Sequence, residues 1–195
     1  MKRTKKRDLL IQVGSQIVVQ QGFKAASINA ILIAAGVPKG SFYYYFASKE
    51  DFGLAIIEDF AQQYQNKLEK TLKNEQFPSL TRLRNFFELG IAEMKNCHCT
   101  NGCLMGNLAQ ELSAQNELFR DRISQVFADW ELRLIECLES AEEAGEVKSG
   151  RDLANLAKFV LSSWEGAILQ AKVTKSVMPM ENFVNILFEQ ILIID

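Results

Sequence analysis

Apolar residues recur at spacings of three and four along almost the whole chain, and this period limits its fold more than any other feature. The first stripe contains Leu9, Val13 and Ile17, and the longest runs through residues 116–143. Such spacing places side chains on one face of a helix. Alternating segments bounded by hairpin turns, which would indicate strands, are not found in the sequence. The pattern therefore predicts an all-α protein of about nine helices.

Start and stop residues divide this pattern into helices. Ser27 is a predicted N-cap, Gly36 ends the helix that it opens, and Pro38 suits the first turn of the next. Ser48 and Asp51 resemble a capping box at the start of a long helix. We expect this helix over 48–72 and further helices over 79–96, 103–113, 116–143, 151–174 and 181–193.

Charge is distributed unevenly along the 195 residues. The net charge is −2, but residues 1–49 hold eight Lys and Arg against one acid, a net of +7. The remaining residues hold 14 bases and 23 acids, a net of −9. This asymmetry indicates a basic module for a polyanion joined to an acidic body. We predict two domains, residues 1–49 and 50–195.

The basic module has the pattern of a helix-turn-helix. Three short helices follow a basic start, with a tight turn at residues 35–37 between the second and the third. In the segment 38–46, Phe42, Tyr45 and Phe46 are expected to pack inward, whereas Tyr43 and Tyr44 face outward. A tyrosine ring can contact a thymine methyl group and its hydroxyl can reach a phosphate.

The stretch 27–52 resembles the TetR family of bacterial repressors. The resemblance is carried by Ala-Gly-Val at 35–37, Gly-x-x-Tyr at 40–43, Tyr-Phe at 45–46 and Ser-Lys-Glu at 48–50. It implies a dimeric repressor that binds a palindromic operator in double-stranded DNA, with a C-terminal helical domain for ligand sensing and dimerisation. The residues predicted to contact DNA are Ser27, Lys39, Ser41, Tyr43, Tyr44 and Lys49.

Three of the four cysteines cluster at Cys97, Cys99 and Cys103, and three interpretations remain open for them. They could bind zinc together with His98, although no Cys-x-x-Cys pair is present. They could be buried apolar residues without a chemical role. The third interpretation is a reactive thiol at Cys103, because a cysteine in the first turn of a helix faces unpaired N–H groups that favour the thiolate.

Two segments resemble the NemR-like branch of the TetR family. They are Gly102–Glu111 and Trp164–Lys172. The resemblance implies a response to electrophiles, oxidants or a small-molecule inducer through Cys103, with Cys97 and Cys99 as further regulatory thiols. Lys172 is a candidate partner that would lower the pKa of the Cys103 thiol if the two meet.

The C-terminal helices predict a dimer interface and an apolar pocket. A terminal helix that is apolar nearly all round needs a second neighbour, which a two-fold partner provides. The predicted interface residues are Leu156, Val160, Trp164, Phe183, Leu187 and Ile191. A pocket for a small ligand would be lined by Phe86, Met94, Met105, Phe127 and Trp130.

The sequence argues against several other classes of protein. Its apolar runs are shorter than a bilayer-spanning helix needs, and no signal peptide opens the chain, so we expect a cytoplasmic location. A phosphate-binding glycine loop is missing, and no cofactor is predicted. The alternatives left open are a repressor induced by a non-covalent apolar ligand with inert cysteines, a thiol-dependent redox enzyme, and a thiol-linked adaptor that does not bind DNA.

Overall fold

The computed structural model describes residues 2–192, which form nine α-helices and no strand. A short 3-10 turn at Lys39–Ser41 precedes α3, and a π-helical turn at Leu187–Ile191 follows α9. The all-α prediction is confirmed. The helices are α1 (Lys2–Gln21), α2 (Ile28–Ala34), α3 (Phe42–Tyr45), α4 (Lys49–Leu72), α5 (Ser79–Asn96), α6 (Leu104–Leu112), α7 (Glu117–Glu143), α8 (Leu153–Thr174) and α9 (Met178–Ile186).

Within this described range, no helix has the length and apolar character required to cross a bilayer.

The final helix differs from its predicted bounds of 181–193. It begins three residues earlier, at Met178, because Pro179 lies in its first turn, where a missing N–H costs nothing. Its regular part ends at Ile186, where the π-helical turn takes over. The last predicted residue of this helix, 193, lies outside the described residues.

The predicted helix caps are present. The Ser27 hydroxyl accepts a hydrogen bond from the Ala30 amide at 3.1 Å, and the Ser48 hydroxyl accepts one from the Asp51 amide at 3.0 Å. The Asp51 carboxylate accepts in return from the Ala47 amide at 2.9 Å. Both helix starts therefore satisfy amides that have no partner inside the helix.

The chain divides into two compact units. One contains the residues up to Gln63 together with Leu104–Ser124, and the other contains Tyr64–Cys103 together with the residues from Gln125 onward. These units are defined by packing and do not coincide with the domain boundary expected after residue 49. That boundary stays a prediction.

An aromatic cluster forms the core of the first unit near its N-terminal helices. The rings of Phe42 and Phe46 both pack against Phe52 at the start of α4, with centroids 5.3 and 4.8 Å apart. All three side chains are almost completely buried. Because two of these rings belong to the segment 42–46, the cluster fixes α3 and the turn that follows it to α4.

A second aromatic cluster holds the helices of the second unit. Trp164 of α8 packs against Phe87 of α5 and Phe183 of α9, with ring centroids 4.8 and 5.5 Å apart.

At the start of α5, the Glu146 carboxylate accepts from the amides of Ser79 and Leu80 at 2.8 and 3.0 Å. Glu146 lies far along the sequence from α5, yet its carboxylate caps the N-terminus of that helix.

Candidate nucleic-acid interface and thiol site

The segment 38–46 separates its aromatic side chains by burial. Phe42 and Phe46 are 0% and 1% exposed, whereas Tyr43 and Tyr44 are 68% and 60% exposed. Tyr45, which is expected to pack inward with the two phenylalanines, is half-buried. The structure therefore presents two tyrosines outward on a helix that is anchored by its phenylalanines, as the sequence predicts.

The backbone around this segment is open to a close approach. Gly36 adopts a left-handed φ of 62°, which makes the tight turn between α2 and the 3-10 turn. Lys39 and Gly40 are exposed, and a Cβ added at Gly40 would meet no atom within 4 Å. A ligand can therefore reach the backbone at this point.

The remaining residues predicted to contact DNA have different surroundings. Ser27 is exposed, and its hydroxyl still has a proton to donate because it acts only as an acceptor in the cap of α2. Ser41 is half-buried. Lys49 is engaged within the protein: its ammonium donates to the Lys24 carbonyl at 3.1 Å and lies 4.9 Å from the centre of the Phe23 ring.

Burial lowers the pKa of the Lys49 ammonium, and the Glu111 carboxylate partly offsets this effect. Through its bond to the Lys24 carbonyl, Lys49 helps to hold the turn between α1 and α2.

Glu111 of α6 is a residue that sequence reasoning missed. Its two carboxylate oxygens accept hydrogen bonds from the amides of Phe23 and Lys24, both at 2.7 Å. The Lys24 ammonium also donates to Gln115, and the Asn116 amide group donates to Glu50 at the start of α4. These bonds tie the turn between α1 and α2 to the end of α6. The sequence signal was the single charged residue of α6, near the end of that helix.

The four cysteines are free thiols in different environments. Cys99 and Cys137 are buried, whereas Cys97 and Cys103 are half-buried. Burial raises the pKa of the Cys137 thiol to about 11. In the described part of the chain, no three His, Cys, Asp or Glu side chains are grouped so that they could hold a metal ion.

Cys103 directly precedes α6 and contacts a second carboxylate that sequence reasoning missed. The thiol hydrogen-bonds to Glu165 of α8. Burial raises the pKa of the Glu165 carboxyl to about 7, although the bond from Cys103 acts in the opposite direction. The signal in the sequence was an acid beside Trp164 in a helix with a mostly apolar face.

The loop that carries the cysteines runs along α8. His98 and Cys99 adopt left-handed φ values of 50° and 52°, and the Cys99 carbonyl accepts from the Lys175 ammonium at 3.3 Å. Lys172 is half-buried and lies two turns beyond Glu165 on the same face of the helix, about 10 Å along its axis. Along the chain, Lys172 therefore lies between Glu165, which contacts Cys103, and Lys175, which contacts the Cys99 carbonyl.

Two of the predicted pocket residues, Phe86 and Trp130, line a very small cavity in the second unit. Its volume is about 10 Å³, which is the space of roughly one water molecule. Phe127 packs against Trp130, Met94 is buried beside the Cys97 sulfur, and Met105 is buried in the first unit. The cavity is lined by Tyr64, Leu68, Phe86, Phe87, Trp130, Leu134, Leu161 and Trp164.

Three residues predicted for a subunit interface are covered within one chain. Val160, Trp164 and Leu187 are at most 2% exposed because other residues of the same chain pack over them, and their role in a subunit interface stays a prediction. The spacing of apolar residues shows that one face of each helix is covered, but it does not show whether the same chain or a second subunit covers it. Leu156, Phe183 and Ile191 are half-buried. The exposed apolar residues of α8 are instead Phe159, Leu169 and Val173.

A tight turn followed by a short helix with exposed aromatic and basic side chains defines a helix-turn-helix protein that binds DNA. Comparison with known families supports this class. Residues 10–56 match the N-terminal region of bacterial regulatory proteins of the tetR family, and residues 79–187 match the tetracyclin repressor-like C-terminal domain. The chain belongs to the TetR family and is a transcriptional repressor rather than an enzyme.

Individual relatives agree with this assignment. The HTH-type transcriptional repressor DhaR of Mycobacterium sp. (strain GP1) is 34% identical over 98% of this chain and 95% of its own. The HTH-type transcriptional repressor NemR of Escherichia coli (strain K12) is 30% identical over 90% and 88%. A crystal structure of a regulatory protein TetR from Rhodobacter sphaeroides superimposes with a TM-score of 0.89, at 34% identity over 93% and 96% of the two chains.

The contacts of Glu111 lead to a stability prediction. Substitution Glu111→Gln leaves one acceptor oxygen for two amides and directs an NH2 group at the other. We expect the free energy of unfolding to fall by about 1–3 kcal/mol, as for a buried donor that loses its partner. Denaturant unfolding measures this change. Glu139→Gln on the exposed surface of α7 is the control, and an equal effect of both substitutions would contradict the role of Glu111.

Proposed function

We propose that this repressor binds a palindromic operator as a dimer and is released when Cys103 is modified. The operator-reading surface consists of Lys39, Ser41, Tyr43 and Tyr44, with Ser27 at the start of α2. The observation that carries this proposal is the exposure of both tyrosines on a helix anchored by the buried Phe42. A helix of this kind fits the major groove. The ammonium group of the flanking lysine and the serine hydroxyls are suited to bind phosphates.

A stripe on α8 supports the dimer. Its members are all exposed and are spaced alternately by four and three residues, which is the spacing of a helix seam that packs against another helix. Gly166 in the middle of the stripe meets no neighbouring atom in its own chain and would allow close approach. The stripe consists of Asn155, Phe159, Ser162, Gly166, Leu169 and Val173.

Release can be passed along one short helix. Cys103 directly precedes Leu104, the first residue of α6, in the chain. Glu111, near the end of the same helix, binds the turn before α2. A group added to the Cys103 sulfur needs space and displaces the start of α6. Operator binding requires recognition helices about 34–36 Å apart, so a shift of a few ångströms is sufficient to weaken it. Cys97 and Cys99, on the loop before Cys103, and Lys172 beside that loop complete the proposed sensor.

A second candidate is release by a non-covalent apolar ligand, with the cysteines inert. The aromatic lining of the cavity at Tyr64, Phe86 and Trp130 favours it. Because the cavity has a volume of only about 10 Å³, such a ligand would have to separate these rings before it could enter.

Loss of a phosphate contact is the test of the operator surface. We expect Lys39→Ala to weaken binding to DNA fragments retained by the wild-type protein, and to lower the slope of log affinity against log salt by about 2 for a dimer that loses two contacts. Binding is measured at several salt concentrations. Lys148→Ala, an exposed lysine far along the sequence, is the control. An unchanged slope in Lys39→Ala would exclude this lysine from the interface.

Introduced charge is the test of the dimer surface. We expect Phe159→Glu with Val173→Glu to weaken self-association by roughly 100-fold or more, because like charges face each other across the two-fold axis. Analytical ultracentrifugation gives the dissociation constant. Leu132→Glu places a charge at an exposed apolar position of α7 and serves as the control. A double variant that stays dimeric at wild-type affinity would show that the stripe is not the interface.

Thiol modification is the test of the sensor. After treatment with an electrophile, we expect the wild-type protein to lose operator affinity by roughly 5–150-fold, the usual range of coupling between sites, and Cys103→Ser to stay within about twofold. Peptide mass spectrometry identifies the modified residue. Cys137 serves as an internal control, since a pKa of about 11 keeps it protonated at neutral pH. Equal loss in both proteins would favour the non-covalent ligand.

A further inference from the structure

We propose that Glu165 is the proton acceptor of Cys103 and sets the pH range in which this thiol reacts with neutral electrophiles. This inference rests on the proposed role of Cys103 as the regulatory thiol. It assigns the second member of the sensor to a carboxylate on α8, in a position that no sequence motif for a reactive cysteine marks.

The geometry pairs the two groups directly. The Cys103 thiol hydrogen-bonds to the Glu165 carboxylate, and the Oε1 oxygen of that carboxylate is buried without a hydrogen-bond partner in the described part of the chain. A buried acceptor with a free lone pair is costly unless it gains a proton or a partner. Transfer of the thiol proton to this carboxylate relieves that cost and leaves a thiolate beside a neutral acid.

Burial brings the titration of Glu165 close to neutral pH, and the hydrogen bond from Cys103 acts against it. Tyr64 of α4 lies near both Cys103 and Glu165, and Glu93 of α5 adds a further negative charge near the tyrosine. Glu93 itself is paired with the Lys67 ammonium at 2.6 Å. Burial raises the pKa of the Tyr64 hydroxyl far above its usual value, so this group stays neutral. The pKa of the Glu165 carboxyl lies at about 7, so its protonation changes in the physiological range.

The proton balance fits addition to an α,β-unsaturated carbonyl compound. As the Cys103 sulfur forms a bond to the β-carbon, the thiol proton moves to Glu165 and the π electrons of the alkene move onto the carbonyl as an enolate. The enolate then takes the proton back from Glu165 at the α-carbon. The products are a thioether and an ionised Glu165, and no oxidant or reductant is consumed. A neutral electrophile suits this site, because an anionic one would have to approach a carboxylate.

The test is the pH profile of Cys103 alkylation by N-ethylmaleimide, followed by peptide mass spectrometry on the full-length protein. In the wild type we expect the rate to rise roughly 15-fold from pH 5.5 to 7 and less than about twofold from pH 7 to 8, since ionisation of Glu165 is then nearly complete. In Glu165→Gln the rate should follow simple thiol ionisation, with about tenfold per pH unit throughout. Glu139→Gln, on the exposed surface of α7, is the matched control and should keep the wild-type profile.

Two results would overturn the proposal. One is a profile of the same shape in the wild type and in Glu165→Gln, whether or not the absolute rates differ, because Glu165 would then act only through its charge. The other is a wild-type rate that keeps rising tenfold per unit through pH 8, which decides the matter even if the variant does not fold. A wild-type protein that shows the expected profile but stays on its operator after alkylation would refute the proposed release and leave the role of Glu165 intact.

Discussion

Two backbone amides of the turn between α1 and α2 end on one carboxylate, and that contact joins the turn leading into α2 to the end of α6. The turn around Phe23 has no regular hydrogen-bond ladder of its own, so Glu111 supplies acceptors that a helix or strand would otherwise provide. Both bonds are short and charge-assisted, which makes them stronger than ordinary backbone bonds. Lys49 adds a second clamp through the Lys24 carbonyl. The direction in which α2 leaves this turn is therefore fixed by side chains from elsewhere in the chain.

Environment, more than residue type, distinguishes the cysteines. Cys137 is buried and donates to the Ser79 carbonyl at 3.5 Å, and burial favours the neutral thiol and raises its pKa to about 11. Cys103 is half-buried at the start of α6, beside a carboxyl group with a pKa of about 7. A thiol with a nearby proton acceptor can react at neutral pH, whereas a thiol without one stays inert in the folded protein. The same side chain thus meets two different environments, one that favours the neutral thiol and one that offers it a proton acceptor.

The sequence predicts what depends on neighbours along the chain, and it fails where the partner is distant. The buried Phe42 and exposed Tyr43 follow from helical spacing, and the cap at Ser27 from local hydrogen bonding. Glu111 is separated by 88 residues from the amide that it binds, and no local pattern reveals that pair. The interface expected at Val160 stays a prediction for a related reason: an apolar face shows that a helix needs a neighbour, but not which neighbour covers it, and here the same chain buries Val160.

The two carboxylates give α6 different constraints along its length. Ahead of Leu104, its N-terminal end follows the Cys103 thiol, which hydrogen-bonds to Glu165, and near its C-terminal end Glu111 holds two amides at 2.7 Å. Hydrogen bonds of this length tolerate little displacement, and a lengthening of about 1 Å already takes them beyond the range of a useful bond. Under the release that we propose, a displacement of α6 would therefore be passed through Glu111 to the turn before α2, because the two bonds at that end cannot lengthen by as much.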